Sequence, residues 1–117
     1  MHKRRILVAD DDMDSTEVLA ILLNLYGHEV RCAGDGADAL KVFAEFSPDA
    51  AVLDISMPGL DGREVARRIR ATDTGRKVLL IALSGWARKL DTESSLAAGF
   101  DMHLVKPVDF QRIHDIL

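Results

Sequence analysis

The chain has 117 residues, enough for one domain with a substantial core. Its 48% hydrophobic and 29% charged residues are those of an ordinary globular protein. A net charge of -4 argues against a nucleic-acid surface, and the single cysteine excludes an intramolecular disulfide and suits a reducing compartment. No apolar run is long enough to span a bilayer and no secretory core opens the chain, so a cytoplasmic domain with no membrane contact is expected.

Short apolar runs alternate with helix-period segments. RILVA, 5–9, reads as a buried strand, and residues 14–26 as a helix stopped by Gly27. Residues 28–33 form a less apolar strand, expected at a sheet edge and closed by Cys32 and Ala33, with Cys32 a small core residue. A helix over 37–46 follows, with Leu40 and Phe43 on one face, ended before Pro48. A strand over 50–53, a helix over 61–71 and a strand over 77–83 come next. The chain then gives a helix over 86–98 closed by Gly99, a strand over 102–105 and a helix over 109–117. Five strands alternating with five helices imply a doubly wound α/β fold with a five-stranded parallel sheet in one domain, 1–117.

In such sheets ligands bind beyond the carboxyl ends of the strands. There the first strand delivers Asp10, Asp11 and Asp12, the third Asp54, the fourth Ser84 and the fifth Lys106-Pro107. Adjacent carboxylates repel and raise one another's pKa unless a cation lies among them. If the first and third strands are neighbours, Asp10, Asp11 and Asp54 converge. A hard divalent cation such as Mg²⁺ would neutralise the excess charge and keep coordination positions for phosphoryl oxygens. Ser84 and Lys106 would meet that group as donor and point charge. A carboxylate can itself be the nucleophile, forming an aspartyl phosphate. Asp54, alone on its strand, suits that part, with Asp10 and Asp11 free to hold metal.

The series VADD, LDISMPGLDG, IALSG and LVKP over the whole chain resembles the receiver domain of bacterial two-component response regulators. HLVKPVD is similar to receiver modules inside hybrid sensor histidine kinases. The resemblance implies strand order 2-1-3-4-5 and a phosphorelay role. In that role Asp54 is the phosphoacceptor, served by a sensor histidine kinase or histidine phosphotransferase as donor, and an output domain or effector reads the switched surface. It implies Asp11 as direct Mg²⁺ ligand, Asp10 through water, Asp54 and the Ser56 backbone carbonyl as further ligands, and Ser84 as the switch hydroxyl. Lys106 pairs with the acceptor and then the phosphate, and Lys106-Pro107 is cis. Catalysis would be confined to the protein's own phosphorylation and dephosphorylation, with no separate substrate turned over. Asp12, the spare, is expected to start the first helix.

The sequence departs from the commonest family pattern at two tuning positions. His103 stands where Phe or Tyr is frequent, and is expected to fill the pocket that moves with the switch and to lend it pH sensitivity. Trp86, two residues past Ser84, could screen the site from water. In the first helix Val18, Leu22 and Leu25 are expected to face the sheet beside Leu19 and Tyr26. Ile21 and Leu23 widen the apolar arc to roughly 200°, beyond the usual ~100° stripe. Either a phosphodonor helix docks there or the helix is unusually buried. The helix from Trp86 has only Leu90, Leu96 and a few alanines to bury, which suits a segment of low local stability.

An aspartate-nucleophile hydrolase is disfavoured, because an acid is expected two residues after the nucleophile and Ser56 stands there. A nucleotide-binding domain would need a glycine-rich loop where the aspartates stand. A protein-binding module of this fold without phosphorylation is the remaining alternative.

Overall fold

The computed structural model describes residues 3–57, 59–85 and 89–117, with side chains from residue 92 onward in the last stretch. Chain order is β1 (Arg5–Ala9), α1 (Met13–Leu25), β2 (Glu29–Ala33), α2 (Gly36–Phe46), β3 (Ala50–Asp54), α3 (Gly62–Arg70), β4 (Leu79–Ser84), α4 (Lys89–Ala98), β5 (Met102–Val105) and α5 (Phe110–Ile116). The five strands pair in parallel in the order β2-β1-β3-β4-β5, so β2 lies at an edge as its weaker apolarity suggests.

Strand side chains alternate between two covered faces, the reason the strands read as continuous apolar runs. Leu7, Leu53, Leu80 and Ala82 pack toward Phe43 of α2 and Val65 and Ile69 of α3. Ile6, Val8, Val52, Ile81 and Leu104 pack toward Leu23 of α1 and Ile113 of α5. Each large side chain buried in this way contributes about 1.5–3 kcal/mol. Phe46, fully buried, lies under the guanidinium groups of Arg5 and Arg31, at 4.5 and 4.9 Å from its ring centroid.

Aspartates start the helices. Asp12, Asp35, Asp61 and Asp109 each accept a hydrogen bond from a backbone N–H in the first turn of α1, α2, α3 and α5. This moves the start of α1 to Met13. Gly27, at φ +92°, ends α1 as expected: its N–H donates to Asn24 O at 3.0 Å and that of His28 to Leu23 O at 3.2 Å.

The structure corrects three expectations. Thr16 and Leu23 are the buried residues of α1, whereas Val18, Ile21 and Leu25 are 58%, 53% and 76% exposed. The sheet-facing stripe runs through Thr16, Leu19 and Leu23, because threonine can face inward when its hydroxyl bonds to the preceding turn, here Met13 O at 2.8 Å. The deeply buried α1 is thereby excluded. The fourth strand begins at Leu79, since residues 74–77 form a 3₁₀ turn. Arg70 enforces that turn by donating to Gly75 O at 2.8 Å and Val78 O at 2.6 Å. Among the described side chains of α4, Ser95 is fully buried and Ala98 nearly so, while Leu96 is 49% exposed. No helix among the described residues is long and apolar enough to cross a membrane.

Candidate functional site

Parallel pairing aligns the strand ends. The β1–β3 register sets Ala9 beside Leu53, so Asp10 and Asp54 emerge on neighbouring strands, and Asp54 lies opposite Leu83 with Ser84 next. Asp10, Asp54 and Ser84 are buried at 4%, 4% and 2% exposure, and Asp11 is exposed. Carboxylate oxygens of Asp10, Asp11 and Asp54 lie within 4.8 Å of one another. The Lys106 ammonium, at the end of β5, reaches across to Asp10 Oδ2 at 3.0 Å and Asp54 Oδ2 at 3.3 Å. The Lys106-Pro107 bond is cis.

Backbone amides hold both buried carboxylates. Asp12 N–H donates to Asp10 Oδ1 at 3.0 Å, and Ser56 N–H to Asp54 Oδ1 at 3.3 Å. Such bonds leave the remaining oxygens directed toward the shared space. Asp12 itself is turned away, accepting from the amides of Asp14 and Ser15 and from the Ser15 hydroxyl.

Electrostatics separate the carboxylates. Burial, reinforced by the charge of Asp10, pushes Asp54 up to about 6 against the pull of Lys106. Burial also pushes Asp10 upward, but the Asp12 amide and Lys106 outweigh it and its pKa is lowered. Lys106 is raised, since its two carboxylate partners overcome the opposing effect of burial. One ammonium thus fails to neutralise the cluster, and a hard cation with oxygen ligands fits what is left over.

The outer predicted positions divide. His103 lies half-buried on β5, its Nδ1 2.9 Å from the hydroxyl of Ser95 on α4. The contact with the fully buried Ser95 joins β5 to α4, and nothing in the order of residues announces it. Ser95→Ala removes that bond; the expected cost is about 1 kcal/mol by urea unfolding, with altered His103 ring ¹⁵N shifts. Unchanged ring shifts would show that Ser95 does not hold the imidazole. Trp86 lies outside the described residues, as does the side chain of Leu90.

Beside the acid cluster, a groove of about 630 Å³ opens between α1 and α5. Val18, Leu19 and Leu22 form one wall, Val108 and Phe110 the other, and Asp10 and Lys106 stand at its end.

The family model for the response regulator receiver domain matches residues 6–117. The transcriptional regulatory protein AfsQ1 of Streptomyces coelicolor is 43% identical over 103 residues, 88% of this chain and 44% of that protein. The transcriptional regulatory protein PrrA of Mycobacterium tuberculosis is 47% identical over 103 residues, 88% of this chain and 43% of that protein. The chain therefore spans less than half the length of either relative. Among solved structures, the receiver domain of the sensor histidine kinase PA1611 of Pseudomonas aeruginosa superposes with a TM-score of 0.87 at 32% identity. The match covers 98% of this chain and 94% of that one, which was solved with a magnesium ion in its active-site cleft.

Proposed function

Because the chain belongs to the response regulator receiver domain family, it is a phosphorylation-controlled signalling module, and we propose that Asp54 carries its phosphoryl group. The observation that carries this assignment is the convergence of Asp10, Asp11, Asp54 and Lys106 at one sheet edge, with Asp54 buried between the other charges. In this reading residues 1–117 act as one receiver domain in the cytoplasm.

The donor is a phosphohistidine on a histidine kinase or histidine phosphotransfer protein. An Asp54 carboxylate oxygen attacks phosphorus; the O–P bond forms as the P–N bond to the donor imidazole breaks, and the imidazole leaves with that electron pair. Asp10, Asp11, Asp54 and the Ser56 carbonyl would hold Mg²⁺, which supplies charge neutralisation for the phosphoryl oxygens. Lys106 moves from its carboxylate partners toward the new phosphate, and Ser84, on the next strand, donates its hydroxyl. Most of the catalysis is positioning and charge neutralisation. The groove between α1 and α5 and the exposed Val18 and Ile21 suit a docking donor helix, since they place apolar contact beside the acceptor.

Incubation with acetyl phosphate and Mg²⁺ should add one phosphoryl group to the intact mass. The addition should vanish without Mg²⁺ and in Asp54→Ala. No added mass in the folded protein, with no stable fluoroberyllate complex, would instead support a binding module without phosphorylation.

A further inference from the structure

The chain leaving β3 carries Ser56 two residues after Asp54, and the described residues at either end of this connection are fastened by groups with no side chain. At one end Gly62 opens α3 against the acceptor itself. Its N–H donates to Ile55 O at 2.9 Å, and a Cβ there would lie 2.5 Å from Asp54 O and 2.9 Å from Ile55 Cα. At the other end Gly36 opens α2, where a Cβ would run into Leu60 O and lie 2.7 Å from Leu60 Cβ. In both places the nearest obstacle is backbone, which cannot swing aside as a flexible side chain does. Between them Ile55 and Met57 are anchored in the core, at 5% and 6% exposure.

We propose that Gly36 and Gly62 are positioning residues for phosphoryl transfer, holding Leu60 and the Asp54–Ile55 backbone in place so that the Asp54 carboxylate and the Ser56 carbonyl meet Mg²⁺ together. The proposal rests on the assignment of Asp54 as acceptor. Alanine at either place must displace backbone by about 1 Å to reach ordinary contact distance. The displaced atoms belong to the acceptor residue in one case and to the far end of its loop in the other. Gly36 separates this role from plain helix stability. Alanine is the better helix former, so Gly36→Ala improves the first turn of α2 while it pushes on Leu60.

The test compares Gly36→Ala and Gly62→Ala with Gly75→Ala. At Gly75 a Cβ would meet Ile69 O, in the turn that precedes β4, at the opposite end of the strands from the acceptor. Mg²⁺ affinity by calorimetric titration, the rate of phosphorylation by acetyl phosphate, and the thermal midpoint are measured for each. Gly36→Ala and Gly62→Ala should weaken Mg²⁺ binding by about tenfold or more and slow phosphorylation in step. Gly75→Ala should lower the thermal midpoint while its Mg²⁺ affinity stays within roughly twofold of the parent. Parent-like affinity and rate in Gly36→Ala would overturn the proposal, as would an equal loss of affinity in Gly75→Ala. Failure of Gly36→Ala to fold would also overturn it, because a loop adjustment of this size leaves the core intact. If the parent protein itself bound no Mg²⁺ and took no phosphate, the assignment of Asp54 would fall instead.

Discussion

Asp54→Asn is expected to abolish phosphate incorporation and, in the absence of Mg²⁺, to make the protein more stable. The buried carboxylate titrates near 6 in the folded protein and near 3.8 when the chain is unfolded. A raised carboxylate pKa means that the folded state binds the proton more tightly, so ionisation penalises folding. That penalty is present in full above about pH 6, fades as pH falls toward 4, and is gone below the unfolded value. Asparagine removes the charge and keeps an oxygen for the Ser56 amide. Lys106 retains Asp10 as its partner. The gain at pH 7.5 should lie between about 1 and 3 kcal/mol, the upper figure being the full shift converted at 1.36 kcal/mol per unit. Urea unfolding of both proteins at pH 7.5 and pH 4.5 checks the sign, since the difference should shrink at the lower pH. A less stable Asp54→Asn at pH 7.5 would show that Lys106 already neutralises the cluster. The same repulsion is the reason for the metal: stability given up at this corner becomes affinity for a divalent cation.

The largest loss should come from Arg70→Met, far from the acceptor. The Arg70 side chain, 21% exposed, donates from Nε to Gly99 O at 2.9 Å and from Nη2 to Asp101 Oδ2 at 2.9 Å, besides its bonds to Gly75 O and Val78 O. Asp101 Oδ2 also accepts from the Leu80 amide at 2.9 Å, so one guanidinium ties together the ends of α3 and α4 and the starts of β4 and β5. Methionine fills the space of the stem but leaves the Gly75, Val78 and Gly99 carbonyls without this donor, while Asp101 keeps the Leu80 amide. The expected cost is about 2–4 kcal/mol, most of it from the carbonyls that lose their donor, since the half-exposed Asp101 pair adds little. Arg70→Lys should recover little of it, because an ammonium cannot serve carbonyls on several sides as the planar fork does. Thermal unfolding of the three proteins decides the matter. A parent-like midpoint in Arg70→Lys would reduce the network to the Asp101 pair alone.

Arg70 also shows where reading from sequence stops. As one of several arginines in α3, it looks like part of a solvated basic face, and its partners lie up to 31 residues away. Ser95 and His103, Gly36 and Leu60, and the inward-facing Thr16 are of the same kind. Each role is set by what another segment places opposite, and neither hydropathy nor propensity encodes that. The face of α1 failed for the same reason: its apolar residues outnumber the positions that the sheet can cover, so packing against β1, β2 and α5 selects Leu19 and Leu23 and leaves Val18 and Leu25 in water.

What the sequence by itself determined was the alternation of strand and helix and the polar residue at the end of each strand that bears chemistry. Both are local. A strand buried on two faces must be apolar throughout, and in a parallel sheet every strand ends at the same edge. Asp10, Asp11, Asp54, Ser84 and Lys106 could therefore be assigned to one site before any distance was known. Only the tertiary structure decided how their charges divide, with Asp10 held ionised by the Asp12 amide and Lys106 while Asp54 is pushed up to about 6. That division depends on burial and on separations of a few ångströms between groups as much as 96 residues apart, which the packing of the whole sheet sets.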